Sequence, residues 1–196
     1  MSDTLVDLET PALLVERERL EANLVWAAGL TRAAGVSLRP HMKTHKSPHL
    51  ARRQREHGIV GVTTATVAEA EVFVRAGFED VFIAYPMVGP ARVGRLAALN
   101  VRARVACGVD HRDQLAPLDR AADQAGVRVG VRLELDSGHH RCGLPPGPEL
   151  LELGRAAVAC EHLQLRGVYT HAGQAYGGES PEAIAALGRA EGRIAV

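Results

Sequence analysis

Cysteine is scarce: Cys107, Cys142 and Cys160 stand far apart and are odd in number. That pattern excludes a disulfide framework and the closely spaced pairs of a zinc motif. A surplus of charge is also lacking, because Lys+Arg and Asp+Glu both total 23. A balanced chain has no electrostatic reason to bind nucleic acid or an anionic membrane, and neither is expected as a partner. No apolar run approaches the ~20 residues of a membrane helix. Met1-Ser2-Asp3-Thr4 is acidic and lacks the apolar stretch of a signal peptide, so a cytoplasmic address is expected. No Gly-x-Gly-x-x-Gly follows an early strand, which removes the main support for a dinucleotide-binding sheet.

What is present is a strict alternation. The 196 residues, 46% apolar and 23% charged, suit one globular domain spanning 1–196. Short runs rich in Val, Ile and Leu predict strands at 12–16, 36–41, 59–65, 80–85, 102–109, 127–136 and 163–171. Between them, helical periodicity predicts helices over 17–34, 48–57, 67–76, 90–99, 110–125, 148–161 and 180–189. In the first of these, Leu20, Leu24, Ala27, Ala28 and Leu30 form the apolar side. Ser47-Pro48 and Ser180-Pro181 are helix-start signals, and Gly58, Gly77 and Gly126 stand where helices hand over to strands. Repeated βα units with strands apolar on both faces predict a parallel sheet covered by helices. Polar clusters recur after many of the strands, at 41–45, 63–66, 85–87, 136–143 and 171–176. A (β/α)8 TIM-type barrel, whose site is assembled from the carboxyl ends of all its strands, explains that recurrence better than an open sheet.

The most informative stretch is Arg39-Pro40-His41-Met42-Lys43-Thr44-His45-Lys46. Lys43 closes a predicted buried strand and is crowded by Arg39, His41, His45 and Lys46, a setting that favours an uncharged, nucleophilic amine. A basic loop on a solvated rim is the plainer reading of the same residues. The histidines also invite a metal reading through His41 and His45, or through His139, His140 and Cys142. Adjacent histidines aim poorly at one ion, and no Glu completes a metalloprotease motif, so no metal is expected within this chain.

Asp7-Leu8-Glu9-Thr10-Pro11-Ala12, followed by Leu38 to Lys46, resembles the opening of the D-threonine aldolase and D-serine dehydratase family. These are fold-type III pyridoxal 5'-phosphate (PLP) enzymes built like alanine racemase. Further matches are Gly61-Val62-Thr63-Thr64-Ala65-Thr66 with Glu69-Ala70-Glu71, then Ala84-Tyr85-Pro86. Leu135 to Gly143, with its Arg141-Cys142-Gly143, and Tyr169-Thr170-His171-Ala172-Gly173 complete the series. The resemblance implies that Lys43 forms the Schiff base with PLP and that His171 and Tyr176 lie beside the cofactor ring. It also implies that Arg141 sits near the substrate or the ring's polar edge and that Thr64 contacts the cofactor. Each has a structural alternative: a hydrogen-bonded barrel histidine for His171, a packing cap for Tyr176, and pairing with Asp136 for Arg141.

The implied activity is a PLP-dependent lyase acting on a D-β-hydroxy amino acid, of aldolase or dehydratase type. A racemase is disfavoured because the lysine motif departs from the alanine-racemase pattern. Family resemblance further implies a homodimer in the full-length form. It also places a divalent ion, zinc or manganese, in a C-terminal β domain that this sequence does not contain. Counting from 36–41, six βα units are expected, with strands seven and eight absent; a full barrel takes ~250 residues, or at least ~200. A non-catalytic PLP-binding barrel, and an inactive fragment or subunit needing a complementing partner, therefore stand as alternatives.

Overall fold

The computed structural model describes residues 4–195; Met1–Asp3 of the N-terminal reading and the terminal Val196 lie outside the described residues. Among the described residues, α1 (Arg17–Ala33) is followed by six further α-helices and five parallel strands. They run α2 (Pro48–Glu56), β1 (Val62–Thr64), α3 (Val67–Arg75), β2 (Asp80–Pro86), α4 (Pro90–Leu99) and β3 (Arg104–Val109). There follow α5 (Leu115–Gln124), β4 (Val129–Leu135), α6 (Pro148–Ala159), β5 (Leu163–Thr170) and α7 (Pro181–Ala195). The sheet order is β1-β2-β3-β4-β5, each strand parallel to its chain predecessor. No described helix is long and apolar enough to cross a membrane.

Local chemistry sets these boundaries much as the sequence predicts. The Ser47 hydroxyl accepts from Leu50 N at 3.4 Å and the Thr66 hydroxyl from Glu69 N at 3.1 Å, each supplying a partner to an orphan amide of the first turn. Pro48, Pro90 and Pro148 occupy first helical positions, where no amide hydrogen is needed. α7 runs past the predicted end at residue 189 as far as Ala195.

Two predicted strands differ. Residues 12–16 are exposed and lie in no sheet. The 36–41 run follows the outer edge of β1 without becoming a full ladder. Val60 N donates to Leu38 O, Thr63 N donates to Pro40 O, and His41 alone forms a parallel bridge with Thr63. Pro40 interrupts that edge, since it has no amide hydrogen to give. Leu30 of α1 also departs from its expected face and is exposed, while Leu20, Leu24 and Ala27 are half-buried and Ala28 is buried.

The expectation of strands apolar on both faces is corrected as well. Adjacent partners Val81, Val105 and Ile83, Cys107, Val131 share the helix-covered face, and all are buried. With α3, α4, α5 and α6 they form the core through Phe73, Val93, Leu96, Leu118 and Leu153. The alternate residues face the barrel interior and are small, aromatic or charged: Phe82, Ala106, Gly108, Gly130, Arg132, Glu134, Arg166 and Tyr169. The alternation is re-phased in β5, where Val131 and Leu133 of β4 pair with Leu165 and Val168, so β5 holds one extra residue. Gly167, at φ 112°, lies in that bulge, a conformation that side chains rarely adopt.

Candidate active site

The carboxyl end of each strand delivers one polar group or more to a common rim. Beyond the edge segment, a single turn over Met42–Thr44 presents Lys43 to solvent while Met42 is fully buried beneath it. The His41 ring caps this turn, its Nδ1 accepting from Lys43 N at 3.2 Å. The crowd of cations expected around Lys43 is partly dispersed. Arg39 turns to the opposite end of the sheet and pairs with Asp80 at 2.7 Å, and Lys46 pairs with Glu69 at 3.2 Å. His45 accepts from Ser47 N.

His171 follows β5 and meets two rings, His139 at 5.5 Å and Tyr176 at 5.9 Å between centroids. Burial, and then the positive charges of Arg141, Lys43 and His139, hold its imidazole below the ordinary histidine value. His41 is lowered in the same way, by burial first and then by Lys43, with a smaller contribution from His171. Lys43, His41, His139, Arg141, His171 and Tyr176 thus form one electrostatic neighbourhood. No hydrogen bond to the His171 ring occurs among the described residues, and Tyr176 is 83% exposed, so it is not a packing cap.

The loop carrying Arg141 is held by two carboxylates. Asp136 Oδ1 accepts from Gly138 N and His140 N, and its Oδ2 lies 2.7 Å from His140 Nδ1. Burial opposes ionisation of Asp136, but these hydrogen bonds outweigh it and bring its carboxyl down to about 2. Asp136 is therefore engaged by His140 and does not pair with Arg141. The loop's far end is fixed where Asp110 Oδ2 accepts from Gly143 N at 3.1 Å and Leu144 N donates to Glu134 O at 3.0 Å. Gly143 sits at φ +94°, and a Cβ there would lie 2.8–2.9 Å from backbone atoms of Glu134, Leu135 and Asp136. Only glycine fits that approach.

Under the loop lies a group the sequence reading missed. Tyr169 donates to Glu134 inside the barrel, and a Cβ on Gly108 would collide with the Tyr169 ring. Burial raises the Glu134 carboxyl, against the hydrogen bond from Tyr169. Asp110, Glu134 and Cys142 bring ligand-type atoms within 4.8 Å of one another. Both oxygens of Asp110 already accept, from Gln114 Nε2 and Gly143 N, and Glu134 accepts from Tyr169, so these atoms serve a hydrogen-bond network. The histidines considered for a metal diverge: His139 faces His171, and His140 faces Asp136. The signal for Asp110 was its position directly after β3; that for Tyr169 was hidden by the bulge.

Several polar atoms at this end are buried without a partner. They include Thr64 Oγ1, Ser137 Oγ, Thr170 Oγ1 and His45 Nε2. Thr64 is fully buried. Unsatisfied buried polar atoms are costly and point to a ligand or ordered water. An exposed amine, two imidazoles lowered by burial, a guanidinium and unpartnered hydroxyls suit a small polar ligand.

Comparison with known proteins agrees in extent and direction. The family described as alanine racemase, N-terminal domain, matches residues 15–192. D-threonine aldolase of Arthrobacter sp is 33% identical over 193 residues, covering 98% of this chain and 51% of that protein. D-threo-3-hydroxyaspartate dehydratase of Delftia sp. (strain HT23) is 37% identical over 199 residues, covering 97% of this chain and 50% of that protein. Among solved structures, D-threonine aldolase from Filomicrobium marinum superposes with a TM-score of 0.92 at 36% identity, covering 97% of this chain and 52% of that one. The chain therefore spans about half the length of the curated relatives it matches.

Proposed function

This chain belongs to the alanine racemase N-terminal domain family, and from that premise we propose that it is the PLP-binding portion of a lyase acting on D-β-hydroxy amino acids. The observation that carries this reading is the placing of Lys43, exposed on a turn at the carboxyl end of the sheet, in one neighbourhood with His41 and His171. Lys43 supplies the amine that attaches the cofactor's aldehyde, and the His41 cap fixes the turn that presents it. Bound PLP supplies an electron sink for the carbanion formed at the substrate's Cα.

The remaining steps belong to side chains of this chain. His171, lowered from its ordinary 6.5, is neutral near pH 7, and a ring nitrogen is open to take a proton from substrate. Arg141, exposed on its clamped loop, offers its guanidinium to a substrate carboxylate or to the ring's polar edge. Tyr176 stands at the rim beside His171, and the unpartnered Thr64 hydroxyl offers a buried hydrogen bond to the cofactor. An aldolase breaks the Cα–Cβ bond, whereas a dehydratase removes the Cα proton and expels the β-hydroxyl. Relatives of both kinds match this chain equally far along its length. Aldehyde release against ammonia release separates the two.

The test is an absorbance titration with PLP of the wild type and of Lys43→Ala, followed by borohydride reduction and peptide mapping. The expected result is a visible band and a reduced adduct at Lys43 in the wild type alone. An adduct retained in a folded Lys43→Ala protein would overturn the assignment. Because the chain spans about half its relatives, binding of cofactor without turnover is the second reading. A wild-type adduct with no released product from D-threonine or D-serine would favour it.

A further inference from the structure

Lys43 is one of only two lysines in the chain; Lys46 follows three residues later, and every other member of the Lys+Arg total is arginine. Guanidinium groups stay protonated and do not add to aldehydes, so these two side-chain amines are the rivals for one. Both are exposed on the same short segment. Lys46 itself closes the turn, its amide donating to Met42 O at 2.7 Å and its backbone taking the left-handed φ of 51°. Two amines of the same kind are therefore offered within a few residues.

The structure treats them differently. Lys43 forms no ion pair among the described residues, and only its backbone amide is engaged, by His41 Nδ1 at 3.2 Å. Lys46 Nζ lies 3.2 Å from Glu69 Oε1. Glu69 is not a loose surface partner. Its side chain is 13% exposed, its Oε2 accepts from Ala65 N at 2.8 Å, and its own amide donates to the Thr66 hydroxyl at the start of α3. The junction of β1 and α3 thus holds the carboxylate in place, and Lys46 comes to it. A nitrogen paired as an ammonium with a carboxylate has no electron pair to offer a carbonyl carbon.

We propose that Glu69 is a positioning residue that selects between the two amines: it withholds Lys46 and leaves Lys43 to take the cofactor's aldehyde. The inference rests on the reading of Lys43 as the cofactor's anchor and adds why its neighbour does not compete. In the selected step the Lys43 nitrogen forms a double bond to the aldehyde carbon. The bond from that carbon to oxygen breaks, and the oxygen leaves as water with both amine hydrogens.

The test is borohydride trapping with PLP, read by fragment-ion mapping that separates Lys43 from Lys46. Glu69→Gln removes the charge and keeps an oxygen for Ala65 N. The expected result is an adduct confined mainly to Lys43 in the wild type, with a share on Lys46 at least about threefold larger in Glu69→Gln. Lys43→Ala alone gives no adduct, whereas Lys43→Ala/Glu69→Gln gains one on Lys46. A second measurement needs no cofactor. Competitive reductive methylation with formaldehyde and cyanoborohydride should favour Lys43 in the wild type, and Glu69→Gln should narrow the ratio about threefold. In the unaltered chain about 1 M sodium chloride should narrow it too, because salt screens a pair whose lysine side is 65% exposed. A Lys43-to-Lys46 ratio that neither Glu69→Gln nor salt moves overturns the role of Glu69 and leaves the Lys43 reading intact. Methylation that is selective and Glu69-dependent, with no PLP adduct on wild-type Lys43, upholds the selection and strikes the cofactor reading instead.

Discussion

At the carboxyl ends of β1–β5 the rim carries an exposed lysine, the histidines 41, 45, 139, 140 and 171, and buried hydroxyl groups left without partners. At the amino ends of the same strands the interior carries arginines gathered about Asp80, with glycine and alanine making room for them. Both ends hold unsatisfied polar groups, yet of different kinds. The unpartnered hydroxyls at the carboxyl ends carry a desolvation cost that one small molecule can relieve, and they are distributed over separate loops that follow separate strands. The guanidinium groups at the amino ends instead share one carboxylate, Asp80, which pairs with Arg39 and Arg104 and works against the lowering of Arg132. The carboxyl end therefore reads as a ligand site, and the amino end as a charge layer organised by Asp80.

Substitutions can break or sharpen that contrast. The largest effect expected is at Lys43: Lys43→Ala abolishes the borohydride-trapped adduct while leaving the denaturant midpoint unchanged. Gly143→Ala cuts across the comparison. It sits on the ligand-facing end, yet its positive φ and close backbone contacts should cost about 3 kcal/mol, measured by urea unfolding. At the other end, Arg39→Met leaves a half-buried Asp80 with only the longer contact to Arg104 and should cost about 1 kcal/mol in the same assay. Asp136 predicts an acid limb. Its carboxyl is lowered from 3.8 to about 2, so its contribution is complete above pH 3.8 and is lost as pH falls through about 2. Asp136→Asn should flatten that limb in acid unfolding. The smallest effect belongs to Tyr176→Phe, which should alter the adduct's spectrum but shift stability by less than ~0.5 kcal/mol.

Much of the architecture was legible because helix caps and hydrophobic period are local signals. Ser47, Thr66 and the prolines at 48, 90 and 148 set helix starts wherever the chain meets them. Strand 36–41 was over-read because Pro40 hides in an otherwise β-like run, and 12–16 because an apolar run looks alike whether or not a neighbour pairs with it. Among the rim residues, His171 directly follows β5 and Lys43 lies just beyond the bridge at His41, placements that a sequence can offer. The opposed roles of Arg39 and Lys43 were not legible: four residues apart in sequence, they serve opposite ends of the sheet, and only pairing with Asp80 separates them. Likewise Asp136, which the sequence offers to Arg141, is taken by His140, whose φ of 55° follows from a turn no periodicity reveals.

The bulge at Gly167 has a consequence for how one strand can serve two ends. An unbroken β5 would keep strict odd-even parity, so residues 166 and 169 would fall on opposite faces. The inserted residue resets the count between them, letting Arg166 face the arginine cluster and Tyr169 reach Glu134 from the same side. Forcing residue 167 into regular strand pairing, with every residue kept and no bulge, would restore parity and turn Tyr169 out toward the helices. The Glu134 carboxyl would then lose its donor, and a phenol would enter the hydrocarbon layer beside Leu133 and Leu153.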